Sequence, residues 1–286
     1  MPAGRFAPSP SGDLHLGNLR TALLAWLFAR STDRRFVMRV EDLDRAKPGS
    51  EQRQLEDLAA IGLDWDGPIM RQSERRDIYD ATIRTLTAAG LTYECFCTRR
   101  EILQAASAPH APDGAYPGTC RDLTADQRAA KDRPPAIRLR SQTTEFTIVD
   151  QLRGLFRGQV DDFVLRRSDG VPAYNLAVVV DDGAQGVDQI VRGDDLLTSA
   201  PRQGYLAQLL GLTPATYVHV PLALNVEGKR LAKRDGAVTL RERPDAWALI
   251  TGSLGMPDVK NAEELLEQWK PRLVPREPWV FDPSIV

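Results

Sequence analysis

The segment RFAPSPSGDLHLGNLRTALLAWLFA, residues 5–29, sets the architecture of the chain. It begins as a short strand, after which Pro8 and Pro10 keep the backbone out of a helix. From His15 to about Ser31 apolar residues recur at helical spacing. The N-terminus of a helix presents unpaired N–H groups and a partial positive charge. A strand, a tight loop and a helix in this order therefore predict a site for phosphate groups.

His15 and Gly17 strengthen the interpretation of this loop as a nucleotide site. His15 adds a donor at the start of the helix, and Gly17 leaves room for a flat group against the backbone. The alternative is a proline-rich turn capped by Asp13, with His15 on the surface. The loop alone leaves both interpretations open, because glycine loops before helices are common.

The remaining sequence alternates strand and helix patterns. Residues 35–42 predict a second strand that ends in acidic residues. Residues 50–63 and 73–91 predict two helices, each with a serine cap and a glycine near its end. Later strands are predicted at 136–142, 145–151, 162–170 and 217–225, a helix at 171–186, and a strand, turn and helix at 188–212. This order predicts an α/β fold with a Rossmann-like core and a parallel sheet.

Composition excludes several classes of protein. The chain has 286 residues, 42% of them hydrophobic and 27% charged, with a formal net charge of -2. A strongly basic nucleic-acid binder is therefore not indicated, although the segments 34–39, 163–167 and 228–234 are basic. No stretch is long and apolar enough to span a membrane, and the N-terminus lacks the pattern of a leader. We expect a cytoplasmic protein without membrane contact.

Three cysteines occur between residues 93 and 135, where the alternating pattern breaks. An odd number argues against a disulfide framework. Cys95, Cys97 and Cys120 are one ligand short of a tetrahedral zinc site. The candidates for the fourth ligand are Tyr116, His110, an acid such as Asp113, or water, and zinc chemistry alone favours His110. Three reduced cysteines without a metal are the alternative.

A basic, glycine-flanked loop spans residues 226–240 and carries four cations close together. Cations on a loop suit the triphosphate of ATP, because they stabilise the charge that develops when pyrophosphate leaves. A solvated basic loop or a nucleic-acid patch is the alternative.

Several motifs, in order, resemble one enzyme family. Residues 11–23 contain His15-Leu16-Gly17-Asn18, which is similar to the first signature of class I aminoacyl-tRNA synthetases. Residues 5–12 and 39–45 resemble the glutamyl-tRNA synthetase branch in particular. The resemblance continues through three further segments across most of the chain, at 174–182, 190–197 and 229–236.

The resemblance implies one ATP site, formed by the first and the last motif of this series. It assigns ATP binding to His15, Gly17, Asn18, Arg230 and Lys233, with Mg²⁺ expected to accompany ATP. The second signature departs from the family pattern, since arginine replaces its first lysine and alanine replaces its serine at position 232.

A glutamate pocket follows from charge and from the resemblance together. Arg5 can hold a carboxylate with two donors, and Glu41 can take the ammonium. The resemblance adds Tyr174 and Arg192. The remaining predicted contacts come from the first loop: Phe6, Ala7, Pro8 and Ser9.

Each charged residue of this pocket also has a plain structural interpretation. Arg5 and Glu41 can form a salt bridge at a strand end. Tyr174 can be a half-buried helix residue, and Arg192 can pair with one of the two aspartates that follow it. His219 is expected to be a strand or substrate-facing histidine and not a metal ligand.

The resemblance also selects the fourth zinc ligand. The spacing Cys-x-Cys followed by Tyr-x-x-x-Cys matches zinc sites of glutamyl-type synthetases, in which the tyrosine is the fourth ligand. It therefore implies a structural Zn²⁺ held by Cys95, Cys97, Tyr116 and Cys120.

Four segments are predicted. Residues 1–92 and 136–238 form the two halves of the core, the second with an acceptor-type insertion and the basic signature loop. Residues 93–135 form the zinc-binding insertion, and 239–286 a short helical extension. About fifty residues follow Lys233, too few for an anticodon-binding domain.

A core without that domain resembles a paralogue in this family that modifies the anticodon. The resemblance then implies tRNA-independent activation of glutamate with ATP, and transfer of the glutamyl group to queuosine at the wobble position of tRNA(Asp). The partners are glutamate, ATP and the anticodon stem-loop of tRNA(Asp), and we expect a monomer. The alternatives are a truncated synthetase that charges tRNA(Glu), another adenylate-forming nucleotidyltransferase, and a non-enzymatic RNA-binding module.

Overall fold

The computed structural model describes residues 1–106, 116–232, 235–236 and 238–282. The strands are β1 Ala3–Phe6, β2 Arg35–Val40, β3 Met70–Arg71, β4 Thr92–Cys95, β5 Ala136–Leu139, β6 Glu145–Asp150, β7 Gly154–Gln159, β8 Val164–Arg166, β9 Val187–Gly193, β10 Thr216–Val220, β11 Ala223–Leu224 and β12 Trp279–Val280. The helices are α1 Leu16–Arg30, α2 Ser50–Ala60, α3 Arg76–Ala88, α4 Arg99–Ala106, α5 Ala125–Ala129, α6 Tyr174–Gln185, α7 Ala200–Leu209, α8 Ala246–Gly252 and α9 Ala262–Gln268.

The main sheet has seven strands in the order β3-β2-β1-β9-β10-β6-β7. Its pairings are parallel except the last, in which β7 runs antiparallel to β6. The predicted α/β fold with a parallel sheet is therefore confirmed for six strands. The sequence pattern did not indicate β7, because glycines at 154 and 158 interrupt its short apolar run.

A second sheet holds the cysteine region. It has the order β4-β5-β8, and β4 pairs antiparallel with β5. These two strands flank the predicted insertion at 93–135, so the two ends of that segment lie side by side. The division of the chain into four segments stays a prediction.

Helix α1 lies at the centre of the largest apolar core. It is buried on nearly all sides because it packs on β1, β2 and β9 and is covered by β11, α8 and α9. Phe28 contacts Trp269 edge to face, with ring centroids 6.0 Å apart. Residues of the C-terminal segment that join this core are Ala246, Ile250, Leu254, Val259, Ala262, Leu265, Trp269, Val274 and Phe281.

Helix ends differ from the sequence prediction in one respect. Neither α2 nor α3 has a side-chain cap, so the predicted serine caps are wrong. Gly49 occupies the N-cap of α2 with a φ of 74°, which places Ser50 inside the helix, and α3 continues from a short 3-10 turn at Gln72–Arg75. The glycines after these helices, Gly62 and Gly90, have positive φ as helix ends require. Among the described residues, none of the helices has the length and apolarity needed to cross a bilayer.

Candidate active site

Four strands bring charged and polar residues to one edge of the main sheet. Arg5 lies on β1, Glu41 directly follows β2, Arg192 lies on β9 and His219 lies on β10. Tyr174 is the first residue of α6 and is 43% exposed. Ligands of open α/β sheets bind at the carboxyl ends of the strands. The structure therefore brings the charged residues of the predicted glutamate pocket to the edge where a ligand is expected.

A buried ion network supports the arginine of β1. Arg5 donates to Asp182 at 3.4 Å and to the carbonyl of Val191 at 3.1 Å. Arg39 donates to the same Asp182 oxygen at 2.7 Å and to Glu41 at 3.5 Å. Glu41 therefore pairs with Arg39 and Arg5 pairs with Asp182, so the salt bridge between Arg5 and Glu41 that the sequence left open does not form.

Sequence reasoning missed both Arg39 and Asp182. A signal for Arg39 was present, because residues 39 and 41 share one side of the extended chain. Asp182 lies within the acidic stretch 178–188, but only the fold places it beneath the two arginines. Although burial opposes ionisation, Arg39 and Arg5 hold the pKa of Asp182 below its ordinary value.

Glu41 has the opposite shift. Burial raises the pKa of Glu41 above its ordinary value, although Arg39 and Arg5 oppose the shift. A desolvated carboxyl of this kind favours a cationic ligand, because an ammonium group would stabilise its charged form.

Arg192 is buried and held by three acceptors. Its Nε donates to His219 Nε2 at 3.1 Å, its Nη1 to Gln203 at 2.7 Å, and its Nη2 to the carbonyl of Leu196 at 3.3 Å. The alternative pairing with the aspartates that follow it does not occur, since Asp194 pairs with Arg153 and Asp195 with Arg230.

The first loop starts α1 with a reciprocal cap. His15 Nδ1 accepts from the backbone of Asn18, and the Asn18 side chain accepts from the backbone of His15. His15 is therefore the N-cap of α1, and Asp13 pairs with Arg53 at 2.6 Å. A Cβ on Gly17 would lie 2.8 Å from the Cβ of Ala223, so glycine permits close packing here. Contacts of these residues with ATP stay predictions.

The second signature lies beside the first. Leu16 donates its backbone N–H to the carbonyl of Val238 at 2.7 Å, and His15 forms a bridge with Thr239. Arg230 donates to Asp195 at 2.7 Å on the same side of the sheet. Lys233 lies outside the described residues.

The three cysteines converge. Their sulfurs lie within 4.8 Å of one another, and the Sγ atoms of Cys97 and Cys120 are 3.5 Å apart. The Tyr116 hydroxyl lies 3.3 Å from Cys95 and 3.7 Å from Cys97. Two sulfurs on a tetrahedral zinc ion lie roughly 3.8 Å apart, so these four side chains fit one ion. The other candidates for the fourth ligand, His110 and Asp113, lie outside the described residues.

The thiols and the phenol of this cluster must lose their protons before they can bind a metal ion. Burial raises the pKa of the Cys97 thiol to about 11 and also raises the pKa of the Tyr116 phenol. A zinc ion would have to displace these protons. The guanidinium of Arg138 lies 3.6 Å from the centroid of the Tyr116 ring, and its positive charge favours a phenolate.

A cavity of about 860 Å³ lies behind the candidate site, between the sheet and the C-terminal halves of α6 and α7. Asp182, Gln203 and Tyr217 line it, whereas Arg5, Glu41 and Arg192 do not. No arginine, lysine or histidine side chain among the described residues lines this cavity, so the charged edge is better suited to a phosphate or a carboxylate.

The chain is similar to proteins of known family. Residues 3–248 match the family described as tRNA synthetases class I (E and Q), catalytic domain. A protein of Nocardia farcinica named Glutamyl-Q tRNA(Asp) synthetase is 66% identical over 98% of this chain and 93% of its own length. One of the same name from Cutibacterium acnes is 55% identical over 92% of this chain and 79% of its own length.

A solved structure agrees with this match. The glutamate tRNA ligase of Elizabethkingia meningosepticum, crystallised in complex with its amino acid, superposes with a TM-score of 0.83 at 28% identity. The superposition covers 98% of this chain and 67% of that one.

Proposed function

Because the chain belongs to the class I tRNA synthetases of the E and Q type, we propose that it activates glutamate with ATP without tRNA and transfers the glutamyl group to queuosine at the wobble position of tRNA(Asp). The observation that carries the proposal is the meeting of Arg5, Glu41 and Arg192 at the edge of the sheet where α1 begins. Arg39 and Asp182 offset each other's charge. The two cations and one anion that remain at this edge suit an amino acid with two carboxylates and one ammonium.

Positioning and charge neutralisation account for the first step. Arg5 and Arg192 hold carboxylate groups, and Glu41 holds the ammonium. The N–H groups at the start of α1, with His15 and Gly17, hold ATP phosphates that carry Mg²⁺. A glutamate α-carboxylate oxygen attacks the α-phosphorus, a new P–O bond forms, and the bond to pyrophosphate breaks. Arg230 and Lys233 stabilise the charge that leaves.

The second step needs an unstacked base. A hydroxyl oxygen of the modified base attacks the glutamyl carbonyl and forms an ester C–O bond. The bond between the carbonyl carbon and the phosphate oxygen breaks, and AMP leaves with its electrons while the hydroxyl proton is released. Bases of single-stranded RNA loops are splayed out and reached in this way by proteins. Arg45 and Lys47 are exposed in the loop that follows β2 and are suited to the phosphates of the anticodon loop.

The cysteine cluster has a structural role in this proposal. Cys95, Cys97, Cys120 and Tyr116 would hold a Zn²⁺ ion, which would fix the loop after β4 against the second sheet. Their distances support this assignment, as described above, and zinc supplies no step of the reaction.

A second candidate is a synthetase that charges tRNA(Glu), which the similarity to a glutamate tRNA ligase favours. Glutamate-dependent exchange of pyrophosphate into ATP, with and without tRNA, separates the two. We expect exchange without tRNA for glutamate and not for glutamine or aspartate. Exchange only with tRNA(Glu) would favour the second candidate, and no exchange would contradict both.

Transfer is tested next with labelled glutamate. We expect labelling of tRNA(Asp) that carries queuosine, and none of the matched tRNA(Asp) with unmodified guanosine at the wobble position. Labelling of the terminal adenosine would contradict the proposed acceptor.

A further inference from the structure

We propose that His219, anchored by Asp150, is the positioning residue that orients Arg192 toward the carboxylate of its substrate. The inference rests on the proposed function, because it assumes that Arg192 binds glutamate. It concerns a chain of three buried side chains that runs from β6 through β10 to β9.

Asp150 fixes one end of this chain. Its Oδ2 lies 2.6 Å from His219 Nδ1 and accepts the backbone N–H of the same histidine at 3.1 Å. Its Oδ1 accepts the backbone N–H groups of Leu152 and Arg153, each at 2.9 Å. The three backbone partners of this carboxylate are N–H donors, so Asp150 accepts hydrogen bonds with both oxygens.

The geometry defines the tautomer of His219. Arg192 Nε always carries a hydrogen and points to His219 Nε2 at 3.1 Å, so Nε2 must be the nitrogen without a proton. Nδ1 then carries the proton and donates it to Asp150. Because both side chains, His219 and Asp150, are completely buried, no water competes for these bonds.

The aromatic ring of Tyr217 adds a second constraint. It stacks on the His219 ring with an interplanar angle of 7°, and the Arg192 guanidinium lies 5.4 Å from its centroid. This packing fixes the plane of the imidazole ring, and the hydrogen bonds to Asp150 and Arg192 decide which nitrogen faces Arg192.

The remaining hydrogens of Arg192 are those that a substrate can use. A guanidinium has five N–H bonds, and three point to His219, Gln203 and Leu196. Within the described residues, the other two, one on each Nη atom, have no protein acceptor. These two N–H groups are available to the oxygens of a carboxylate. Losing the bond at Nε would free the guanidinium to rotate away from that arrangement.

Protonation of His219 would break the arrangement. A proton on Nε2 would face the N–H of Arg192, so the bond would become a repulsion between two cations. The charged groups that face the ring are Asp150 on β6, Arg192 on β9 and, farther away, Arg5 on β1. Burial and the arginines lower the pKa of His219 despite Asp150, which keeps the ring neutral at neutral pH.

The tautomer is measured on the unaltered protein. The chain has three histidines, so ¹⁵N chemical shifts of its imidazole rings are readily resolved. We expect one ring with protonated Nδ1 and unprotonated Nε2 throughout neutral pH, assigned by its loss in His219→Gln. A ring protonated on Nε2 would overturn the proposal without any assay of activity.

Two variants of His219 test its hydrogen bonds to Asp150 and to Arg192 separately. In His219→Asn the amide nitrogen replaces Nδ1 and donates to Asp150, but nothing reaches Arg192. In His219→Gln the amide oxygen reaches the place of Nε2 and accepts from Arg192. We expect the KM for glutamate to rise about tenfold or more in His219→Asn, as loss of a hydrogen bond to a charged group implies.

His219→Gln should stay near the unaltered KM for glutamate, and both variants should keep the KM for ATP. A merely structural role predicts instead that the two variants change both KM values together. Equal KM values for glutamate in the two variants would therefore overturn the proposal. If the unaltered protein shows no exchange, the proposed function fails while the tautomer result still stands; if exchange occurs and the variants do not differ, only the positioning role fails.

Discussion

Asp182 is the residue on which the charge balance of the candidate site depends. It is buried, and it is the common acceptor of Arg5 and Arg39. Removing one partner of a buried ion pair leaves the other charge uncompensated, which destabilises far more than the pair itself stabilises. Here two cations would be left facing each other.

We therefore expect Asp182→Asn to lower the free energy of unfolding by about 3–5 kcal/mol. Glu145→Gln is the matched control, because Glu145 pairs with Arg157 in an ion pair whose side chains are 50% and 70% exposed. The control should lose less than about 1 kcal/mol. Urea denaturation measures both, and equal losses would contradict the assigned role of Asp182.

His219 also predicts the dependence of stability on pH. Its folded pKa lies below the ordinary value of 6.5, so the unfolded chain binds more protons on acidification. The stability that its neutral form contributes is present above pH 6.5 and is lost as pH falls through the folded pKa. Glu41 acts in the opposite direction, because its pKa is raised.

A comparison with His219→Gln removes the contribution of Glu41. We expect the urea midpoint of the unaltered protein to fall more steeply below pH 6.5 than that of His219→Gln. Parallel curves for the two proteins would show that the folded and unfolded pKa values of His219 are equal.

At the level of elements, the start of α1 depends on the close packing of Gly17 against Ala223. The Cβ of an alanine at Gly17 would lie 2.8 Å from Ala223 on β11, which is closer than real Cβ contacts. We expect Gly17→Ala to cost about 1–3 kcal/mol of stability, and to raise the KM for ATP because the helix N-terminus must shift.

Gly252 in α8 provides the control for this substitution. Its Cβ would meet the nearest atom at 3.9 Å, so Gly252→Ala should leave the KM for ATP unchanged and gain up to about 1 kcal/mol. A normal KM for ATP in Gly17→Ala would contradict a nucleotide site at the start of α1.

The loop after β4 depends on the proposed metal. We expect elemental analysis to find about one zinc ion per chain, lost in Cys120→Ala and retained in the neighbouring Thr119→Ala. Tyr116→Phe should retain zinc with weaker affinity, because three sulfurs remain. Unchanged affinity of Tyr116→Phe for zinc would indicate that His110 or water is the fourth ligand.

The sequence predicts these elements well where a local pattern exists. The apolar spacing after His15 predicts α1, and the spacing of Cys95, Cys97 and Cys120 predicts their convergence. Asp182 and Asp150 escape prediction, because their partners Arg39 and His219 come from distant strands. Charges that only tertiary packing brings together leave no local signal.

For the whole molecule, the C-terminal segment belongs to the main core. Trp269 is 4% exposed and packs on Phe28 of α1. We expect Trp269→Ala to cost about 3–5 kcal/mol, and tryptophan fluorescence and circular dichroism to report one shared transition. Leu273→Ala, at a position 39% exposed, should cost much less. Two separate transitions in the unaltered protein would contradict a shared core.

The overall architecture was predictable because strand and helix patterns alternate, whereas the extent of the core was not. The sequence predicts residues 239–286 as a short helical extension beside the core. Their apolar side chains instead complete the packing around α1, which no periodicity within the short segments α8 and α9 reveals.

Strand β1 has a consequence for how the chain folds during synthesis. It lies between β2 and β9 in the sheet. The backbone N–H of Ala3 donates a hydrogen bond to the side chain of Asp188, which is 185 residues later in the sequence. A nascent chain on the ribosome therefore exposes the apolar face of α1 until β9, α8 and α9 have emerged. We expect chaperones to bind this incomplete chain, and the packing around α1 to form only after α9 has been synthesised.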